Sequence, residues 1–238
     1  METEAREATS VEVVDLAVTP LRELNQRLHD VAREGGPSHW HIVSPNGAHA
    51  VAAGLDAEIE VDVDGHVGYY CAGMNKLATV RVHGNAGTGL AENIMSGRVL
   101  VHGNVSQSAA ATGRGGLVVV YGDASARCGI SMKGVDIVVS GSVGHLSAFM
   151  AQTGRFVVCG DAGDALGDSI YEARLYVRGR VGSLGADCVE KELREEHVNE
   201  VRVLLAAAGI DSVQPEDFRR YGSARKLYNF SIDNASAY

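Results

Sequence analysis

Proline is scarce in this chain of 238 residues: four in all, and none between Pro45 and Pro215. A stretch that long without proline is one in which nearly every backbone N–H can enter a hydrogen-bonded ladder. Positive charge is also short. Lys and Arg number 21 against 30 Asp and Glu, a formal net charge of −9, which excludes non-specific nucleic-acid binding through a basic face. No apolar run approaches the length of a membrane span. The opening residues METEAREATS contain no apolar signal core, so a cytoplasmic protein is expected. Cysteine is limited to Cys71, Cys128, Cys159 and Cys188, with no C-x-x-C pair. Small buried thiols are the expected state, with a redox or metal role as the alternative.

Glycine is plentiful, and it is ordered. It returns every nineteen residues at Gly65, Gly84, Gly103, Gly122, Gly141, Gly160 and Gly179. Apolar pairs precede each one: Val61/Val63, Val80/Val82, Val99/Val101, Val118/Val120, Ile137/Val139, Phe156/Val158 and Leu175/Val177. The V-x-V alternation marks a strand with one face buried, and a fixed period near twenty marks a solenoid. Small or polar residues follow the glycine (Asn85, Asn104, Asp123, Ser142, Asp161), and these turn residues are read as places where the backbone passes through positive φ. Seven positions after the glycine every residue is Ala or Gly: Ala72, Ala91, Ala110, Gly129, Ala148, Gly167, Ala186. The pattern predicts an all-β solenoid, a right-handed parallel β-helix of about seven 19-residue turns, with helical N- and C-terminal extensions. Strands stacked at ~4.8 Å would put Cys71 and Cys128, three turns apart, ~14 Å from each other, beyond disulfide reach.

Three regions follow: an N-terminal extension at 1–56, the β-helix at 57–186, and a C-terminal helix and interaction tail at 187–238. In the first, Val11 to Val18 and Trp40 to Val43 read as short strands. Thr19-Pro20 reads as a helix start with threonine as cap, followed by the stripe Leu21, Leu24, Leu28, Val31. In the last, 187–208 reads as an amphipathic helix ended by Gly209. Both extensions are natural caps for the open strand edges of a solenoid. Residues 219–230 interleave cations with aromatic and apolar side chains, the mix of interface anchors. Tyr221, Arg225, Leu227, Tyr228 and Phe230 are therefore the expected partner-binding residues.

Other candidate chemistry has a plain structural reading beside it. GNAGTG (84–89) and GRGG (113–116) sit inside the repeat and lack the Walker lysine, which makes them turns rather than phosphate loops. His83 and His102 should stack on the outer face, with no third ligand adjacent to make a metal site. His66, Tyr69, Tyr70 and Cys71 form the densest reactive patch, either facing a partner or packing the end of the coil. Asp161, Asp164, Asp168 and Glu172 read as a solvated face. No nucleophile has a sequence-visible base beside it. No catalytic, cofactor-binding or metal residue is assigned.

The repeat, with GDAGDALGDSIYEARLYVRG (160–179), MSGRVLVHGN (95–104) and YCAGMNK (70–76), resembles the C-terminal β-helix domain of the glutamate synthase large subunit, the glycine-repeat GXGXG family. Taken over the whole chain, including SARKLYNF (223–230), it is similar to the stand-alone β-helix subunit of N-methylglutamate synthase-type complexes. The resemblance implies a non-catalytic scaffold subunit, coupling a glutamine amidotransferase-like subunit to an FMN-binding glutamate synthase-like subunit. The reaction implied is glutamate plus methylamine to N-methylglutamate plus ammonia. FMN, with an iron–sulfur cluster as a further candidate, is expected in a partner. No catalytic residue carries over to this chain. It has no cysteine before Cys71 to serve as an N-terminal amidotransferase nucleophile, and no room for a flavin barrel. The third subunit of formylmethanofuran dehydrogenase, or of a formyltransferase/hydrolase complex, is the alternative. A hexapeptide β-helix acyltransferase fits less well, since its turns follow a six-residue rule.

Overall fold

The computed structural model describes residues 11–227. The chain forms β1 (Val11–Asp15), α1 (Leu21–Glu34), β2 (His39–Val43), β3 (Glu60–Asp64), β4 (Thr79–Val82), β5 (Arg98–Val101), β6 (Leu117–Val120), β7 (Lys133–Val139), β8 (Thr153–Val158), β9 (Arg174–Val177), β10 (Cys188–Lys191), α2 (Glu195–Ala207) and β11 (Arg219–Ser223). The eleven strands make one sheet in the order β1-β2-β3-β4-β5-β6-β7-β8-β9-β11-β10. From β1 to β9 every neighbour is parallel. Val80 lies opposite Val99, and Val99 opposite Val118, so equivalent residues of successive turns stack. This is a β-solenoid of about seven turns.

The stacking follows from where the backbone polar groups go. A strand N–H and C=O can only be satisfied by the turns above and below. The valine pairs point inward, and all fourteen residues from Val61 to Val177 named above have no exposed surface. Across the coil, a second ladder of single bridges joins Val67, Ala86, Val105, Ala124, Val143, Ala162 and Val181. Valine and alanine alternate strictly along it, so each bulky residue fills space left by small neighbours.

The repeat glycines serve a different purpose from the one their turn position suggests. Gly65 has positive φ, 132°, but the six above it do not. What they need is proximity. At Gly103, Gly122 and Gly141 an added Cβ would come closer than 3.0 Å to both the glycine carbonyl of the turn below and the side-chain oxygen of Asn85, Asn104 or Asp123. Those side chains occupy the gap in order to accept a backbone hydrogen bond from the next turn: Asn104 N to Asn85 Oδ1 at 2.8 Å, Asp123 N to Asn104 Oδ1 at 2.8 Å, Ser142 N to Asp123 Oδ1 at 2.7 Å. The glycine and the polar residue after it are one device, a glycine making room for the side-chain oxygen of its neighbour below.

Positive φ is found further on, on the opposite arc. The Ala/Gly column is left-handed from Ala72 to Gly167, with φ 52° at Ala72, 54° at Ala91 and 55° at Ala110, and so are residues two before and two after it, such as Ser108 and Thr112. Each pair forms overlapping tight turns, Ala111 N to Ser108 O and Gly113 N to Ala110 O, of the kind that needs φ > 0 at the third residue. The cost of left-handed backbone, roughly 1 kcal/mol per non-glycine residue, is offset by hydrogen bonds between turns, such as Ala110 N to Leu90 O at 2.8 Å and Ser108 N to Ala126 O at 3.0 Å.

Both ends are closed by the extensions, in ways the sequence pattern does not show. β1 and β2 join the sheet, so the N-terminal extension supplies strands as well as a cap. Helix α1 begins at Leu21, and Pro20 is its cap residue without a side-chain hydrogen bond. Thr19 is thus not the cap. The Pro20 carbonyl itself takes the first helical N–H groups, from Glu23 and Leu24. Leu24 and Leu28 are buried against the first turn. Asn25 completes the ladder there: Ala52 N donates to Asn25 Oδ1 at 3.0 Å, where Ala72 N, one turn up, donates to the Val51 carbonyl.

At the other end the structure corrects two expectations. Cys188–Lys191, read as the start of a helix, is strand β10. It pairs antiparallel with β11, which pairs antiparallel with β9 and covers its edge. Helix α2 does not cap the end. It lies on the outer face of the sheet, where Val201, Leu204, Leu205 and Ala208 pack on Leu100, Val119, Val138, Val157 and Tyr176. Those five are the middle residues of V-x-V strands. The same column reads Asp62 and Arg81 in β3 and β4, so the sheet turns apolar on its outer side where a helix covers it.

Replacing Val120 by Asp puts an unpaired charge among fully buried residues, and it should cost about 4 kcal/mol or more, measured as loss of the cooperative thermal transition. Gly122→Ala should lower stability by more than Gly209→Ala. The first forces a Cβ into backbone, whereas the second meets nothing within 4 Å and costs about 1 kcal/mol for its φ of +68°. Denaturant melts of the two variants compare them directly.

Candidate interaction surface

The outward positions of the first turns gather four of the nine histidines, His39, His41, His83 and His102. His39 and His41 on β2 face Asp62 and Asp64 on β3. His39 Nε2 is 2.8 Å from Asp62 Oδ2, and His41 Nε2 is 2.6 Å from Asp64 Oδ2. His83, just past β4, reaches the other oxygen of Asp62 at 2.8 Å. One carboxylate therefore bridges two imidazoles. His83 stacks on His102 at 4.9 Å, and His102 on Tyr121 at 4.9 Å. Tyr121 closes the row by donating its hydroxyl to the carbonyl of Ala208, at the C-terminal end of α2 (2.9 Å). Arg98 donates to the neighbouring Ala207 carbonyl. The unpaired carbonyls of a helix end carry partial negative charge and favour such donors.

The electrostatics of the row follow from its contacts. Burial works to raise the Asp62 pKa, but hydrogen bonds from His83 and His39 and the charge of Arg81 outweigh it and hold the carboxyl below its ordinary value. His102 is lowered, first by burial and then by the charge of His83. Asp62, Asp64 and His39, His41, His83 line a hollow of about 380 Å³ together with Val11. Each carboxylate in it is engaged by an imidazole, so the row reads as a hydrogen-bonded, half-exposed face rather than an acid–base pair aimed at a substrate. Among the described residues, no three His, Cys, Asp or Glu are grouped so that they could hold a metal ion.

Sequence reading found the His83–His102 stack but missed His39, His41, Asp62 and Asp64. The signal was there in two matched i, i+2 pairs on neighbouring strands. It was hidden because His41 and Asp62 pair across a longer turn than the repeat allows.

A second exposed cluster lies on the turn arc. Tyr69 stacks on His49 at 4.5 Å and meets Tyr70 edge-on at 6.5 Å. Tyr70, Met74 and Leu77 all have positive φ, 59°, 57° and 72°, and all are about half exposed. The expected grouping with Cys71 and His66 is not what forms. Cys71 points into the core with no exposed surface, and His66 is occupied by the N–H of Asn85 at 2.9 Å.

Comparison with known proteins decides the family. Over 226 residues, 95% of this chain and 99% of the relative, the sequence is 62% identical to protein GlxC of Rhizobium meliloti (strain 1021). The chain belongs to the GlxC family. No family model matches it, and no solved structure does.

In this GlxC-family chain the remaining candidates fall as follows. All four cysteines are free and buried. Burial pushes Cys71 and Cys128 up to about 12 and Cys159 to about 11. Burial, then the charges of Asp187 and Asp168, pushes Cys188 to about 12. These are inert thiols. The acidic strip is not simply solvated. Asp161 accepts from Arg180 N at 2.7 Å, Asp164 from Ser183 Oγ at 3.0 Å and Asp168 from Ala186 N at 3.0 Å, all links to the next turn. Tyr221 is no surface anchor: it is 2% exposed and packed in the core from β11. An aromatic there seals the last turn. Arg225 is at the surface and bonded through Nη2 to both oxygens of Glu172, at 2.9 and 3.0 Å. Leu227 is half exposed. Tyr228 and Phe230 lie outside the described residues.

The lowered Asp62 pKa fixes a sign. Its contribution to stability is present above the unfolded carboxylate pKa, ~3.9, and is lost as pH falls through the lower folded value. Thermal melts of Asp62→Asn should show a shallower loss of Tm below about pH 4 than the parent. Unchanged steepness would mean that the His39–Asp62–His83 bridge does not couple to folding.

Proposed function

We propose that this chain is a non-catalytic scaffold subunit of a flavin-dependent glutamate synthase-like complex of the N-methylglutamate synthase type. In it the chain joins an amidotransferase-like subunit to an FMN-binding subunit in the cytoplasm, on a right-handed coil of nineteen-residue turns. The activity rests on the resemblance of the repeat and of segments 70–76, 95–104 and 160–179 to the glutamate synthase β-helix domain. One observation carries the scaffold reading. Along the described solenoid the reactive side chains are consumed in holding turns together: Asp161, Asp164 and Asp168 in bonds to the next turn, Asp62 between two imidazoles, and the thiols inside the fold. Left outside are half-exposed Tyr69, Tyr70 and Met74 near one end, Met95 and Met150 further along, and Leu227 near the other end, among them the aromatic and methionine side chains that anchor interfaces. Such a rod presents two ends to two partners, and its stacked turns keep their spacing rigid.

The test is purification of the tagged full-length chain from its native cell. It should co-elute with one flavin-containing and one amidotransferase-like subunit, and the isolated chain should turn over none of glutamine, 2-oxoglutarate, glutamate or methylamine. Elution as a lone monomer in the presence of those subunits would overturn the reading. Since β11 belongs to the sheet, the informative truncation begins after it. Removing residues 225–238 should leave the circular dichroism spectrum in place and abolish co-elution, and full assembly by the truncated chain would exclude the tail as anchor.

A further inference from the structure

Where the solenoid ends, a cavity of about 340 Å³ opens between the segment leading into β9, the antiparallel pair β10–β11 and the first turn of α2. Five cationic side chains line it, against two carboxylates. Three of the cations are neutralised by a carboxylate: Arg174 by Glu200, Arg194 by Glu192, and Arg225 by Glu172. The ion pairs among the described residues leave Lys191 and Arg220 without one. These two stand directly opposite each other in the β10–β11 register, and like charges placed opposite across an antiparallel pair destabilise it.

Arg220 is unsatisfied in a second way. Its Nε is buried with no hydrogen-bond partner, and Nη1 makes a long bond, 3.3 Å, to the Glu192 carbonyl. A buried donor left unpaired costs about 1–3 kcal/mol. His197 stands on the same wall, its Nε2 3.6 Å from Glu196 Oε1. Its Nδ1 accepts the N–H of Arg194 at 3.1 Å, which leaves the ring proton on Nε2. It is 5% exposed, and burial followed by the Arg220 charge lowers its pKa.

Two unpaired cations held face to face, an orphaned guanidinium donor and a walled cavity in the size range of small-molecule sites are what an oxyanion would complete. We propose that this cavity binds a small doubly charged oxyanion, a dicarboxylate or a phosphate, between Lys191 and Arg220. The planar guanidinium takes two oxygens at once, and the ammonium acts as a point charge on the other side. The site belongs to this chain alone and does not rest on the proposed complex.

Isothermal titration of the full chain at constant ionic strength tests it, with succinate and inorganic phosphate as probes, succinamide as the uncharged isostere and chloride as the monovalent control. Saturable binding of one succinate or one phosphate per chain is expected, and which of them binds tells the two sources apart. Affinity should fall at least tenfold in Arg220→Gln and in Lys191→Gln, and stay unchanged in Arg33→Gln at the far end of the rod. Without anion, Lys191→Gln should melt no lower than the parent, since it removes a repelling neighbour. The proposal is overturned if neither dianion binds saturably, if succinamide or chloride gives the same heats, if both variants keep the parent affinity, or if Lys191→Gln lowers Tm as a structural lysine would.

Discussion

Everything in this protein depends on turns meeting at backbone distance. Where Gly103, Gly122 and Gly141 lie over Asn85, Asn104 and Asp123, the side-chain oxygen of one turn sits where a Cβ of the next would be and takes its N–H. That contact fixes the separation of the turns. The separation aligns the strands in register, and the register stacks the valines into a continuous core. A single methyl group at a glycine would have to lift one turn off another, and a rod built of identical contacts has no loose layer to absorb the strain.

The same economy explains the scarcity of free chemistry. A solenoid satisfies its backbone between turns, so polar side chains near the turns are drawn into the ladder. Asn85, Asp123, Asp161 and His66 all do so. The outer face of the sheet divides in two. Over β5 to β9 it is apolar and covered by α2, and over β2 to β4 it carries the His–Asp row. Tyr121 bridges the halves through Ala208, and α2 is held on the sheet by this bond, by Arg98 to Ala207, by Arg174 and Tyr176 to Glu200, and by its apolar face. The proposed scaffold role fits a molecule whose polar side chains are engaged along its length and which keeps apolar side chains such as Tyr69, Met95, Met150 and Leu227 exposed.

Much of the fold was legible in the residues. The inward valines, the parallel stacking and the His83–His102 pair follow from a period that places equivalent side chains one strand spacing apart. The Ala/Gly column was legible as a constraint but not as a conformation. Ala72 and Ala91 are small and buried, and also left-handed, which side-chain size alone does not reveal. Tyr221 was misleading because alternating cations and aromatics look the same on an interface tail and on an edge strand. Only the pairing of β11 with β9 and β10 shows that one face of it is buried.

What the sequence determined by itself is whatever repeats, because a repeat states its geometry many times over: the strand, the glycine contact, the core column. What only the tertiary structure decided is whatever happens once. The docking of α2 on the sheet face instead of the end, the Asn25 amide completing the first ladder, the His39–Asp62–His83 bridge and the meeting of Lys191 with Arg220 each join segments whose separation has no period. Their registers are set by how the extensions fold back onto the rod, and local sequence carries no measure of that distance.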